Sequence, residues 1–247
     1  MARARAEDQM TAADFGDPYS VLRPVRSGNT FEETIEHLLQ AIRVGLFPPG
    51  QKLPPERDLA EHLGVSRATL REALAELQTA GFLEIRRGRY GGTYILEAPN
   101  AAPQGVQHMD PLQRRDVLAF RAVLEPAAAE LAAQADLSAS AREHLQGCLS
   151  DLEGADRASY RARDARFHIA IAELSGSPSL ITAVTDTRAR VSALLDEIPL
   201  LPANLEHSNA QHLAITTAIL HGDGARAKSL MIDHLEGTAS LLRGFLT

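Results

Sequence analysis

Apolar residues recur every three to four positions through most of this chain, which is the spacing of amphipathic helices. Before residue 82 this spacing predicts three helices. Their apolar positions are Phe31, Ile35, Leu38, Leu39, Ile42 and Leu46 in the first helix, Leu59 and Leu63 in the second, and Leu70, Ala73, Leu74 and Leu77 in the third. Two short strand patterns follow at 82–85 and 92–95, so the N-terminal part is predicted to be three helices and a hairpin.

The rest of the chain, from residue 111, is rich in Ala and Leu and has few strand signals. Glycine and proline breakers at 154, 175–178, 199–202 and 222–224 divide it into segments. The spacing predicts six helices, at roughly 112–135, 138–153, 157–175, 178–195, 205–221 and 224–245. An all-helical bundle is the architecture expected for such a segment.

The boundary between the second and third helices has the residues of a helix-turn-helix. Pro54 and Pro55 suit the start of a helix, because the first helical N–H groups have no partner within the helix. Gly64 permits the left-handed backbone of a tight turn, and Ser66 is placed to cap the third helix. In this motif, the first residues of the third helix enter the major groove of DNA.

Those first residues carry groups that can read DNA. Arg67, Thr69 and Arg71 lie opposite the apolar stripe, and arginine can pair with guanine or hold a phosphate. The hairpin tip is cationic and rich in glycine, which suits contact with phosphates or the minor groove; its sequence is Arg86-Arg87-Gly88-Arg89-Tyr90-Gly91. We therefore expect a winged helix-turn-helix that binds DNA, and the alternative is a small helical domain without that role.

Composition restricts how the chain can bind DNA. The formal net charge is −7, and residues 23–97 contain equal numbers of basic and acidic side chains. Binding must therefore rely on the local arginine clusters, and we expect a salt-sensitive affinity. The lone Cys148 excludes an intramolecular disulfide and a multi-cysteine zinc module. We find no signal peptide and no run of apolar residues long enough for a membrane span, so a cytoplasmic protein is expected.

The region around the third helix resembles the GntR family of bacterial winged-helix regulators. The similarity lies in Leu53-Pro54-x-Glu56-Arg57-x-Leu59-Ala60 and in Val65-Ser66-Arg67-x-Thr69-Leu70-Arg71-Glu72-Ala73-Leu74. The resemblance implies that these residues contact DNA: Arg57, Ser66, Arg67, Thr69 and Arg71, with Arg87 and Gly88 in the wing. Pro55 departs from the family, which usually has a small capping residue at that position.

Histidines in the second half indicate a metal site. Asp164 and His168 are four residues apart, so they share one helix face and can chelate one cation. His212 and His234 lie on two further predicted helices, so the bundle interior could receive one carboxylate and three imidazoles. On spacing alone, the competing interpretation is that these are ordinary core or surface histidines.

Residues 111–245 resemble the FCD effector domain of the FadR branch of GntR regulators. The similarity lies in Arg121-Ala122-Val123-Leu124-Glu125-Pro126, Asp164-x-x-x-His168, His212, His221-Gly222-Asp223 and His234-Leu235. It implies that a divalent metal, Zn or Ni, is held by Asp164, His168, His212 and His234, since imidazole ligands suit these metals. It also implies an organic acid effector in contact with Arg121, for which the alternative is a structural ion pair with Glu125.

Together these features predict a mainly α protein with four regions. These are a flexible tail (1–27), an N-terminal winged helix-turn-helix (28–97), a linker (98–110) and a C-terminal all-helical domain that binds an effector and dimerises (111–247). We expect a homodimeric repressor that binds double-stranded palindromic operator DNA and responds to a small organic acid. Two rival interpretations are a purely structural metal in a domain that only dimerises, and a metal-dependent hydrolase. Neither a His-Glu-x-x-His nor a Gly-x-Ser-x-Gly motif occurs to support the hydrolase.

Overall fold

A computed structural model describes residues 22, 24–25, 28–88, 91–96 and 109–246 of the chain. Within these residues the elements are α1 (Thr30–Arg43), α2 (Glu56–Leu63), α3 (Arg67–Thr79), β1 (Leu83–Arg86), β2 (Gly92–Ile95), α4 (Pro111–Gln134), α5 (Ala139–Glu153), α6 (Tyr160–Leu174), α7 (Pro178–Asp196), α8 (Pro202–Leu220) and α9 (Gly224–Leu246). The predicted fold class is confirmed: a winged helix-turn-helix precedes an all-helical bundle.

Most element boundaries differ from the sequence prediction by only a few residues. Helix α1 ends at Arg43, so Leu46 lies beyond the first helix rather than in it. Helix α6 begins at Tyr160 instead of 157, because the Asp156 carboxylate accepts a hydrogen bond from the Ser159 N–H and forms a turn there. The predicted tail lies mostly outside the described residues, as does the predicted linker except at 109–110.

The winged domain packs α1, α2 and α3 around one apolar core. Strands β1 and β2 pair antiparallel, with Leu83 opposite Ile95, and both of these side chains are buried in that core. Lys52 forms an isolated bridge with Tyr94, which ties the segment before α2 to the hairpin. This arrangement leaves the start of α3 and the described wing residues Arg87 and Gly88 at the surface of the domain.

In the bundle, α4 is the central helix and packs against α6, α7, α8 and α9. The buried residues in the second half of α4 are mostly small, and they include Ala128, Ala129, Ala132 and Ala133. Small side chains let the neighbouring helices come close, so polar side chains from several helices can meet in the bundle interior. Among the described residues, no helix combines the length and apolar content that crossing a membrane requires.

The two domains are joined by direct packing of α1 on α9. A Cβ added at Gly244 would lie 3.0 Å from the Cα of Glu36, and one at Gly237 would lie 2.8 Å from Asn29 Oδ1. Both glycines therefore allow the backbone of α9 to approach α1 closely. The apolar core of the winged domain continues into the bundle through Val191 and Leu241.

Candidate functional site

The helix-turn-helix has the local geometry that its sequence predicts. Gly64 ends α2 in the left-handed conformation, with φ of +66°. The Thr69 N–H donates to Ser66 Oγ at 3.0 Å, and the two hydroxyl oxygens lie 2.9 Å apart. Ser66 thus caps α3. The capping bond fixes the start of the predicted recognition helix, and Pro55 provides no equivalent side-chain bond for α2.

Three arginines of this region are exposed and only weakly held. Arg67 lies at the first position of α3, and Arg71 follows one turn later with its Nε 2.6 Å from Glu56 Oε2. Arg57 on α2 pairs with its neighbour Asp58 and keeps 80% of its side chain exposed. Because exposed ion pairs contribute only about 0–1 kcal/mol, these arginines can exchange a carboxylate for a phosphate or a base at little cost.

The described part of the wing adds further positive charge. Arg87 and Gly88 are exposed, and Gly88 adopts a φ of +105°, which favours glycine. Arg86 pairs with Glu84, and its guanidinium lies 4.2 Å from the Tyr94 ring centre. The sequence analysis did not assign a role to Lys52, whose ammonium group donates to the carbonyl oxygen of Gly91 at the base of the wing.

Arg89 and Tyr90, which belong to the predicted wing tip, lie outside the described residues.

In the bundle, four predicted metal ligands from α6, α8 and α9 meet in one buried cluster. Asp164, His168, His212 and His234 each offer one ligand atom, and these atoms all lie within 4.8 Å of one another. The Nε2 atom of His234 is 3.1 Å from that of His212 and 3.3 Å from that of His168. Asp164 Oδ1 lies 3.3 Å from His212 Nε2 and 3.7 Å from His168 Nε2.

These distances fit a cation placed between the four atoms. Ligands about 2.0–2.1 Å from a tetrahedral zinc ion lie about 3.3 Å from one another. Burial lowers the pKa of His212 to about 3 and also lowers the pKa values of His168 and His234, so all three imidazoles are neutral near pH 7. Neutral imidazole is the form that binds metals. The donor set therefore suits a divalent ion that accepts nitrogen and oxygen ligands.

Charged side chains surround the cluster and hold its acidic groups ionised. The guanidinium group of Arg188 donates to Asp164 Oδ2. Glu125 accepts from Arg121 Nε at 2.9 Å, and its other oxygen lies 2.6 Å from His168 Nδ1. Burial opposes ionisation of both carboxyl groups, but the nearby cations hold their pKa values well below the usual range.

Arg121 therefore forms the ion pair with Glu125 that was the alternative to a role in effector binding. Arg188 is a second buried arginine of this cluster. The ion pairs of Arg121 and Arg188 do not use every N–H donor of the two guanidinium groups. Within the part of the chain that the structure describes, Arg121 Nη1 and Arg188 Nε and Nη1 are buried without a hydrogen-bond acceptor. Arg121 also lines a cavity of about 260 Å³ between α4 and α9. These donors can therefore still bind an anion.

The sequence analysis missed Arg188, although a signal for it exists. Val184, Arg188 and Val191 follow one another at helical spacing on α7, and all three are buried. A charged residue in the middle of an apolar stripe must have a buried partner. That rule would have indicated Arg188 as part of a polar site, without indicating that Asp164 is its partner.

The exposed start of α3 and the cationic wing are features of a winged-helix DNA-binding protein. They are joined to a helical bundle that contains a buried cluster of candidate metal ligands. Comparison with known proteins agrees with this class. Residues 30–95 match the family described as bacterial regulatory proteins, gntR family, and residues 116–237 match the FCD domain. The chain belongs to the GntR family and carries an FCD domain.

Two sequence relatives with similarity over most of their length support this assignment. The HTH-type transcriptional repressor NanR of Citrobacter rodentium (strain ICC168) is 32% identical over 242 residues, which cover 88% of this chain and 87% of NanR. The Uxu operon transcriptional regulator of Escherichia coli (strain K12) is 31% identical over 213 residues, 81% of each chain. A solved structure of Streptococcus agalactiae GntR shares 29% sequence identity at a TM-score of 0.45 and covers 84% of this chain and 97% of that one.

The protein is thus a DNA-binding transcription regulator of the GntR type with an effector-binding FCD domain. The matched families and relatives are regulators, not enzymes, so the hydrolase interpretation is set aside.

Proposed function

We propose that this regulator is a homodimeric repressor that binds a palindromic operator and senses a small carboxylate through a divalent metal. The metal, Zn or Ni, is held by Asp164, His168, His212 and His234. Operator DNA is contacted by Arg57, Ser66, Arg67, Thr69 and Arg71 of the helix-turn-helix and by Arg87 and Gly88 of the wing.

The charge balance of the buried cluster is the observation that carries the carboxylate part of the proposal. Two arginines, Arg121 and Arg188, face two carboxylates, Glu125 and Asp164, and the three histidines are neutral. The charges of the protein therefore cancel before any ligand binds. A divalent cation would add two positive charges to a buried space, where uncompensated charge is costly. An anionic ligand offsets this added charge, by half for a single carboxylate and fully for a doubly charged acid.

The unpaired guanidinium nitrogens explain how such an anion is oriented. A metal in this cluster would supply open coordination positions for a carboxylate oxygen. Arg121 Nη1 and Arg188 Nε have no hydrogen-bond acceptor, and Arg188 Nη1 has only the Glu125 carboxylate at 3.7 Å, so these planar donors can match a carboxylate or hydroxyl group. Arg121 lines the cavity between α4 and α9, so this guanidinium group lies next to a space that a small acid can occupy. In the alternative, with a purely structural metal, the two arginines only neutralise Glu125 and Asp164.

An exposed apolar stripe on α4 supports the dimer. Its members lie within about 100° of the helix circumference, and they are Leu112, Phe120, Val123 and Leu131. Leu112 is 77% exposed and Val123 is 67% exposed, which is unfavourable for a monomer in water. A second copy of the chain would cover the stripe and place two recognition helices on one operator. The name of NanR as a repressor supports repression as the mode of control.

The metal and effector parts can be tested on purified protein. Metal content is measured for the wild type, for the His168→Ala/His212→Ala variant and for His221→Ala, which removes an exposed histidine at the end of α8. We expect one metal per chain in the wild type and in His221→Ala, and none in the double variant. Stoichiometric metal in the double variant would show that these residues are not the ligands.

A panel of small carboxylates then separates sensing from a structural metal. We expect some of these acids to raise the melting temperature of the metal-loaded protein and none to act on the metal-free protein. If metal raises the melting temperature and no acid changes it further, the structural interpretation replaces the proposal.

A further inference from the structure

Asn29 lies at the N-cap position of α1 but does not cap its own helix. Asparagine is among the residues preferred at this position because its side chain can accept a backbone N–H bond. Within the described residues its side chain makes no capping bond. Instead, the buried Asn29 Nδ2 donates to the carbonyl oxygen of Asp233 on α9 at 2.6 Å. A side chain of the DNA-binding domain is thus hydrogen-bonded to the backbone of the helical domain.

The oxygen of the Asn29 amide is connected to the candidate metal centre through Gln211. Gln211 Nε2, on α8, donates to Asn29 Oδ1 at 3.0 Å. Gln211 Oε1 in turn lies 2.9 Å from His234 Nδ1. Two consecutive hydrogen bonds therefore connect His234, a proposed metal ligand, to Asn29, the residue before α1, and a third continues from Asn29 to α9. Gln211 is itself adjacent in sequence to His212.

The backbone carbonyl of Asp233 fixes the direction of every bond in this chain. A carbonyl oxygen only accepts, so the Asn29 amide must point its NH₂ group toward Asp233 and its oxygen toward Gln211. Gln211 must then donate to Asn29, which leaves its own oxygen facing His234. Hence His234 Nδ1 carries the proton, and its Nε2 presents a lone pair to the cluster.

We infer that Asn29 and Gln211 form a polar relay that holds His234 in its metal-binding tautomer and couples the metal centre to helix α1. Both are positioning residues, since neither offers a ligand atom to the metal: Gln211 acts through His234, and Asn29 acts through Gln211. The inference rests on the metal centre proposed above. By thermodynamic linkage, if the hydrogen bonds of Asn29 favour metal binding, then metal binding must equally stabilise these bonds and the start of α1. The DNA-binding domain and the metal centre are therefore energetically coupled through these two amides.

The Gln211→Glu variant separates the two halves of the relay. A glutamate keeps an acceptor for His234 Nδ1–H but cannot donate to Asn29 Oδ1. Amide hydrogen exchange of α1 is followed with and without Zn²⁺ in the full chain. In the wild type we expect Zn²⁺ to slow exchange in α1 by about fivefold or more, the lower end of typical coupling. In Gln211→Glu we expect Zn²⁺ to bind and this slowing to disappear. Gln146→Glu, an exposed change on α5, is the charge-matched control and should behave as wild type.

The Asn29→Asp variant tests the relay from the other end. Aspartate caps helices as well as asparagine does, so a merely structural role for Asn29 predicts unchanged Zn²⁺ affinity. Because aspartate cannot donate to the Asp233 carbonyl, we expect Zn²⁺ affinity to fall about tenfold, as when a partner of a metal-bound histidine is lost.

Two distinct failures can be recognised. Stoichiometric Zn²⁺ binding with unchanged affinity in Asn29→Asp and an unchanged α1 response in Gln211→Glu would overturn the relay alone. A wild type that binds neither Zn²⁺ nor Ni²⁺ would overturn the metal centre and the relay together.

Discussion

Arginines occupy opposite environments in the two domains, and the contrast separates two kinds of function. In the winged domain, Arg67 and Arg71 are exposed, and the single ion pair of Arg71 is open to water. In the bundle, Arg121 and Arg188 are almost fully buried, and each is held by a carboxylate. An exposed arginine can change partners and so can bind DNA. Removing a buried arginine would leave its carboxylate partner as an uncompensated charge. A buried arginine is therefore fixed in position and can shape a site for a specific ligand.

Removing Arg188 should have the largest effect on stability and tests the contrast most severely. Arg188→Ala leaves Asp164 buried without its cation, and breaking a buried pair in this way costs about 3–5 kcal/mol in the free energy of unfolding. Arg67→Ala should change this free energy by less than about 0.5 kcal/mol. Urea unfolding followed by circular dichroism, with metal chelated in both samples, measures the difference. Equal stabilities for the two variants would remove the distinction between the two environments.

For DNA binding the order of effects should reverse. Arg67→Ala or Arg71→Ala should lower operator affinity by about 1–3 kcal/mol, the value of one good base contact. Arg226→Ala, an exposed arginine on α9, is the matched control and should bind as the wild type does. Fluorescence anisotropy with a labelled operator gives the affinities. Normal affinity in both helix variants would contradict the assignment of α3 as the recognition helix.

The wing should differ from the recognition helix in how it responds to salt. Arg87 is exposed in the wing, where phosphate contact is expected rather than base reading. Arg87→Ala should therefore weaken binding to all sequences alike and reduce the slope of log affinity against log salt by about 1. A change in sequence preference with an unchanged slope would place Arg87 on a base instead.

The domain junction provides the smallest predicted effect, which depends on pH. His207 of α8 lies 3.7 Å from Glu32 of α1 and 3.8 Å from Glu72 of α3. The Glu32 carboxylate raises the pKa of His207, although partial burial opposes the shift. The stabilisation is therefore complete below about pH 6.5, where unfolded histidine titrates, and is lost as pH rises through the folded pKa.

The His207→Gln variant tests this pH dependence. Since the His207 side chain is 40% exposed and water screens its ion pairs, the unfolding free energy of the wild type should exceed that of the variant by only about 0.5 kcal/mol at pH 5.5, and by less at pH 8.5. Melting temperatures at the two pH values show the difference. A gap that widens toward high pH would mean that His207 is not held by these carboxylates.

Local features of the fold and site were predictable from sequence, and those that depend on distant contacts were not. The turn at Gly64 and the helix cap at Ser66 follow from the residues next to them in sequence. Asp164 and His168 form a pair within one helix. His212 and His234 could be joined to that pair only through family resemblance, because their helices meet in three dimensions. Asn29 would be assigned as a helix cap from sequence, yet its side chain binds a carbonyl 204 residues away.

Genome-wide occupancy of the protein on the chromosome of its source organism tests the central claim most directly. The wild type is compared with Arg67→Ala in otherwise identical cells. We predict a small number of sites that contain inverted repeats and that disappear in the variant. A wild-type profile that cannot be distinguished from the Arg67→Ala profile would contradict an operator-binding regulator that reads DNA through α3.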